Sequence, residues 1–246
     1  MKLTFFTTTT YSDIQEYQSK LIKKYFPNSE HILIDGRTGW FSIWYEWLNR
    51  AKDMNSDYFI HIDEDCFIFD DKYILETIDK MKNENYDIAG PPDGCCEYRS
   101  ANYMALNSFF MIVSKKAIKT WFNRTHIPQF KEEWIEEYPF EKENDYTFIY
   151  DMEFGTSNKP LNEIWKPCSE PYYDFMWVLK DNNIKFLYLE PKLSKDELKT
   201  TNLLNNSIIH MWHQRQRYND NFKVHFWDIS NKQRFDLMIE KIKKII

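Results

Sequence analysis

Three consecutive acids, Asp63, Glu64 and Asp65, follow directly on the apolar and aromatic run Tyr58-Phe59-Ile60-His61-Ile62. Carboxylates this close repel and raise one another's pKa unless something neutralises them. Hard oxygen ligands gathered at one point suit Mg²⁺ or Mn²⁺, above all where a substrate phosphate completes the shell. An acid triplet can also be a solvated turn after an edge strand. Here the preceding run has no proline or glycine and reads as a buried strand, which favours the metal.

The elements before the acids must carry them to one edge of a sheet. Lys2 to Thr10 reads as a first strand ending in the hydroxyl run Thr7 to Thr10. Ser12 with Asp13 is expected to cap a helix to about Tyr25, with Tyr17, Leu21, Ile22 and Tyr25 on one face. His31 to Asp35 is a second strand, and strand–helix–strand argues for a parallel sheet. Trp40 to Met54 is amphipathic, with Trp40, Ile43, Trp44, Trp47, Leu48 and Ala51 on one side. Asp70 or Asp71 is expected to cap a helix through about Lys82, followed by a short strand at Tyr86 to Ala89. Gly90-Pro91-Pro92-Asp93-Gly94 is a forced turn. Beyond it, Asn107 to Val113 is a strand and Ser114 opens a helix through Phe122. From about Asn123 to Lys166 no period is evident, and the stretch suits an acceptor-binding insertion or a partner surface. Glu170 to Lys180 is expected helical, Lys185 to Leu189 extended, and Ser207 to Trp212 a last strand. Lys232 to Ile246 is an amphipathic basic helix, either docked or lying on a membrane surface.

Composition narrows the function. The 246 residues carry a net charge of −6 and no basic block before the C-terminal lysines, which argues against nucleic-acid binding. Nine Trp, sixteen Tyr and nineteen Phe exceed what a core needs, so some rings suit stacking on a sugar face. Cys66, Cys95, Cys96 and Cys168 show no metal or disulfide spacing, consistent with a reduced, cytoplasmic setting. The first ten residues lack a signal-peptide pattern, and no apolar run reaches the ~18 residues of a membrane span. A single domain over residues 1–246 is expected, with a nucleotide-binding half (1–90), an acceptor and catalytic half (91–215) and a helical tail (216–246).

A βαβ start, an aspartate closing the second strand and a buried strand ending in Asp-x-Asp together resemble the GT-A fold glycosyltransferases, over roughly residues 1 to 215. The resemblance implies a Rossmann-like α/β fold with a mostly parallel central sheet between helices. It also implies transfer of a sugar from a nucleoside diphosphate donor, with UDP favoured, to a hydroxyl of a glycan or glycolipid acceptor. Carried onto this chain, Asp65 binds the metal and Asp63 contacts it or the donor ribose. The loop containing Thr7, Thr8 and Tyr11 holds base and ribose. Asp35 meets the base and Arg37 a phosphate or the sugar. Asp174, or else Glu170, matches the acid that deprotonates the acceptor in inverting members, although Tyr173 stands where that family usually has a glutamate. His210 or His213 matches the C-terminal histidine that some branches add to the metal. In an extended segment the two point to opposite faces, so one ligates, with His210 favoured. Mixed Asp and His ligation favours Mn²⁺ over Mg²⁺. Arg215 or Arg217 is placed to clamp the diphosphate.

Two rivals remain at this level. A nucleotidyltransferase also gathers acids at strand ends, but normally carries a Gly-rich basic loop after its first strand, where this chain has Thr7 to Thr10. A non-catalytic carbohydrate-binding module would use the aromatic residues and leave the acids structural.

Overall fold

The computed structural model describes residues 1–93, 104–129, 172–194, 206–211 and 229–246, with residues 131, 134, 139, 140, 198 and 201–203. Its first half alternates strand and helix: β1 (Leu3–Thr9), α1 (Ser12–Tyr25), β2 (Glu30–Asp35), α2 (Trp40–Asp53) and β3 (Tyr58–Ile62). There follow β4 (Cys66–Ile68), α3 (Lys72–Glu84), β5 (Ile88–Gly90), β6 (Phe110–Ser114) and α4 (Lys115–Asn123). Beyond these lie α5 (Tyr173–Asp181), β7 (Phe186–Tyr188), β8 (Pro191–Leu193), β9 (Thr201–Leu203), β10 (Ile208–His210) and α6 (Asn231–Lys243).

The central sheet has the order β2-β1-β3-β6-β5-β7. β1 pairs in parallel with β2 and β3, and β5 with β7, while β6 runs antiparallel between β3 and β5. Five strands therefore point one way and one is reversed. This is the expected α/β class, a mostly parallel sheet with helices on both faces. A second, antiparallel sheet of order β4-β10-β9-β8 stands beside it.

The alternation of side chains along β3 divides the core. Tyr58, Ile60 and Ile62 pack with Phe5, Ile22, Ile74, Ile78 and Met81 on the α1 and α3 side. Phe59 faces the other way, with Phe6, Trp44, Trp47, Trp121 and Phe175 from α2, α4 and α5. Each such fully buried side chain stabilises by about 1.5–3 kcal/mol. A third cluster joins Ile14 and Leu21 of α1 to Phe67, Ile209, Met211, Met238 and Ile242. The apolar face of α6 is thus spent on α1 and the second sheet, as in the docked reading of that helix, and its lysines face outward. No helix among the described residues is long and apolar enough to cross a membrane.

Several boundaries differ from expectation for identifiable reasons. The strand expected from Asn107 begins at Phe110, because the Asn107 side chain accepts from Phe109 N at 3.1 Å and holds a turn. Ser114 does cap α4, accepting from Ala117 N at 3.1 Å. Ser12 and Asp13 do not cap α1: the N-cap is Tyr11, without a side-chain cap bond.

Candidate metal centre

In a parallel sheet the strand ends that follow one direction lie along one edge, where α/β proteins place their ligands. β1, β2 and β3 deliver Thr9, Asp35 and Asp63 to that edge, with Thr9 opposite Asp35 in register. β10 pairs antiparallel with β4, bringing His210 opposite Cys66 and so beside the acids. Asp63, Asp65 and His210 each offer a ligand atom, and these atoms all lie within 4.8 Å of one another. His210 Nε2 stands 3.4 Å from Asp65 Oδ1. Two adjacent ligands held about 2.1 Å from one octahedral ion are roughly 3 Å apart, so two oxygens and an imidazole nitrogen at this spacing fit a small divalent cation.

The turn bearing the acids is held from several sides. Cys66 N donates to Asp63 O at 3.0 Å, closing the turn. The fully buried Gln18 of α1 donates from Nε2 to Asp63 O at 2.5 Å and to Cys66 O at 2.8 Å, and accepts from Thr7 Oγ1 at 2.8 Å. Asp63 N donates to Phe109 O, and Met211 N to Asp65 O, each at 2.9 Å. Asp63 and Asp65 are half-buried and His210 is buried. Its ring lies parallel on Phe109, with centroids 4.3 Å apart and planes within 3°.

Glu64, between the ligands, does something different. Its buried carboxylate accepts from Thr9 Oγ1 (2.9 Å), Thr10 N (2.7 Å) and Tyr11 N (3.0 Å) through Oε2. It therefore fixes the loop that leads into α1, through donors that precede the helix. Burial pushes its pKa up, against the lowering effect of the two backbone bonds and the Thr9 hydroxyl. Of the triplet, Asp63 and Asp65 turn toward His210 while Glu64 anchors the loop after β1.

The remaining expected residues fall into four groups. Thr7 is fully buried, and its hydroxyl serves Gln18 and meets His31 Nε2 at 3.0 Å, so it positions α1. Thr8 and Tyr11 are half-buried beside it. Gly36 packs against this loop so tightly that a Cβ there would stand 2.7 Å from Thr10 Oγ1. Asp35 and Arg37 are exposed and grip each other: Asp35 accepts from Arg37 N (3.0 Å), Nε (2.7 Å) and Nη2 (2.7 Å). The guanidinium holds the Asp35 carboxyl down at about 2. Asp174, in the first turn of α5, is half-buried and accepts from Tyr45 Oη at 3.2 Å. Burial first, and then the Asp174 charge, push the Tyr45 phenol up to about 12. Glu170, His213 and Arg215 lie outside the described residues.

A second buried acid escaped the sequence reading. Asp93, three residues past β5, accepts from Asn107 Nδ2 (3.1 Å), Tyr172 Oη (2.9 Å) and Tyr173 Oη. The sequence shows there only a turn between prolines and glycine, and its donors come from far along the chain.

No protein-family model matches this sequence, and no curated protein matches it. By structure it is similar to the galactosyltransferase LgtC in complex with donor and acceptor sugar analogs, at 11% identity over 98% of this chain and 96% of that one, TM-score 0.47. It is also similar to the mannosyltransferase PcManGT from Pyrobaculum calidifontis in complex with GDP-Man and Mn²⁺. There the identity is 8%, over 52% of this chain and 47% of that one, with a TM-score of 0.38. A cytidylyltransferase from Leptospira borgpetersenii matches at 13% identity, over 74% of this chain and 94% of that one, TM-score 0.35. All three TM-scores are below 0.5, so the functional reading rests on the site itself.

Proposed function

We propose that this protein is a divalent-metal-dependent glycosyltransferase. Its donor is a nucleoside diphosphate sugar, UDP-linked in the first instance, and its acceptor a hydroxyl of a glycan or glycolipid. The observation that carries this reading is the convergence of Asp63, Asp65 and His210, from two distant parts of the chain, at the carboxyl edge of a mostly parallel sheet. Asp63, Asp65 and His210 would hold Mn²⁺ or Mg²⁺, with Mn²⁺ favoured by the imidazole. The ion would supply charge neutralisation for the departing diphosphate.

The chain's own residues perform the rest. Glu64 and Gln18 tie the acid turn to the loop from Thr8 to Tyr11, so the surface offered to base and ribose moves as one body with the metal ligands. Asp174 takes the proton of the acceptor hydroxyl, oriented by the Tyr45 hydroxyl on Oδ2. The acceptor oxygen then bonds to the anomeric carbon as the bond to the diphosphate oxygen breaks, and the diphosphate leaves with that electron pair. This sequence inverts the anomeric centre.

Thermal shift with Mn²⁺ and UDP or GDP tests the proposal. At ~100 times Kd, linkage adds about 2.7 kcal/mol, worth roughly 5–10 °C in a chain of this size. The shift is expected only with metal and nucleotide together, and Asp65→Ala is expected to remove it. A shift with nucleoside triphosphates alone would point to nucleotidyl transfer. Asp174→Asn is expected to leave donor binding intact and lower turnover about 10²–10⁴-fold; unchanged turnover would remove it as the base.

A further inference from the structure

The metal ligands come from two sheets, and one residue touches both sides of the gap between them. Phe109 lies just before β6 and is fully buried. Its carbonyl accepts from Asp63 N at 2.9 Å. Its ring carries the His210 imidazole face to face at 4.3 Å. Its own N–H donates to Asn107 Oδ1 at 3.1 Å, and Asn107 Nδ2 donates to Asp93 Oδ1 at 3.1 Å, so the residue is itself braced from the end of β5.

We infer that Phe109 is a positioning residue for the metal centre, its ring setting the plane of the His210 imidazole while its carbonyl holds the Asp63 backbone. The inference rests on the metal reading above. Two physical arguments carry it. A buried imidazole against a flat ring cannot tilt about its outer torsion without losing that contact, so the ring plane in which Nε2 meets Asp65 Oδ1 is fixed. A ligated imidazole also gives electron density to its ion and becomes electron-poor, and the negative face of a benzene ring attracts such a partner. The stack therefore favours the metal-bound state of His210 over the free one. Groups that orient a ligating histidine commonly change metal affinity by about 10- to 100-fold when removed. In those cases the support is usually a hydrogen bond; here it is a ring.

Mn²⁺ binding to the full chain, followed by loss of the free-ion electron paramagnetic resonance signal, tests this without any turnover. Phe109→Leu is expected to weaken binding about tenfold. Phe59→Leu makes the same deletion in the opposite core cluster and is expected to stay within about twofold of the parent, while costing similar stability. If Phe109→Leu does not fold, Phe109→Met, which fills most of the volume without a flat face, is expected to show the same loss. Parent-like affinity in a folded Phe109 variant, or equal loss in the Phe59 variant, overturns the inference and leaves the metal reading standing. A parent protein that binds no Mn²⁺ overturns both and locates the fault in the metal reading.

Discussion

Two acid clusters stand at the carboxyl edge of the central sheet, and their surroundings are opposite. After β3, Asp63 and Asp65 are half-buried, lie within reach of each other and of an imidazole, and have their backbone tied down from several sides. After β5, Asp93 is buried, and its carboxylate is met by two phenols and an amide. The second arrangement satisfies its own charge, as a buried carboxylate must. The first brings two carboxylates and an imidazole together at the spacing a small divalent cation would take. Glu64 shows the contrast within a single turn, since it stands between the two ligands yet behaves as Asp93 does.

Substitutions at the two clusters should therefore separate binding from stability. The largest effect is expected at Asp65→Ala: Mn²⁺ binding falls at least about 100-fold, while the urea midpoint stays equal or rises as like-charge repulsion is relieved. A variant that binds Mn²⁺ normally would erase the distinction. Asp93→Ala should do the reverse. It strands Tyr172, Tyr173 and Asn107 donors in the core and is expected to cost about 3–5 kcal/mol by urea unfolding, with Mn²⁺ affinity little changed. Glu64→Ala sharpens the comparison at closer range. Losing the acceptor that holds the loop ahead of α1 is expected to cost about 1–2 kcal/mol and to weaken nucleotide binding more than metal binding. Equal weakening of both would mean that the loop and the ligands do not divide their roles this way.

A smaller expected effect concerns pH. His61 is buried between Trp44 and Trp47, His31 is half-buried against Thr7 and Ser19, and desolvation lowers both to about 4. Their folded pKa values lie below the ordinary 6.5, so between pH 6.5 and 4 the unfolded chain binds more protons and the folded state loses stability as pH falls. Stability measured by urea should decline through that window, and His31→Gln should flatten part of the decline. A midpoint independent of pH there would show that these rings are not held neutral.

The parts of the fold visible in the sequence are those governed by neighbours in the chain. The alternation of β1, α1, β2, α2 and β3 follows from local apolar period, and Ser114 caps α4 through a bond three residues away. The preference for His210 over His213 rests on the apolar run that becomes β10, and among the described residues His210 lies beside the acids. What sequence could not show depends on distant donors. Glu64 finds its donors in Thr9, Thr10 and Tyr11 ahead of α1, and Asp93 finds its own in Tyr172, Tyr173 and Asn107. The aromatic surplus has a similar explanation, since Trp44, Trp47, Trp121 and Phe175 interlock in one core cluster between the sheet and its helices.

The central claim is that Asp63, Asp65 and His210 form a metal site that serves a nucleotide donor. Titration of the protein with Mn²⁺ in the presence and absence of UDP, read by the free-ion resonance signal, addresses it most directly. The prediction is that Mn²⁺ binds once per chain, that UDP tightens it, and that Asp65→Ala weakens it at least about 100-fold and His210→Ala about 10-fold or more. Binding that is absent, or that survives both substitutions unchanged, would contradict it.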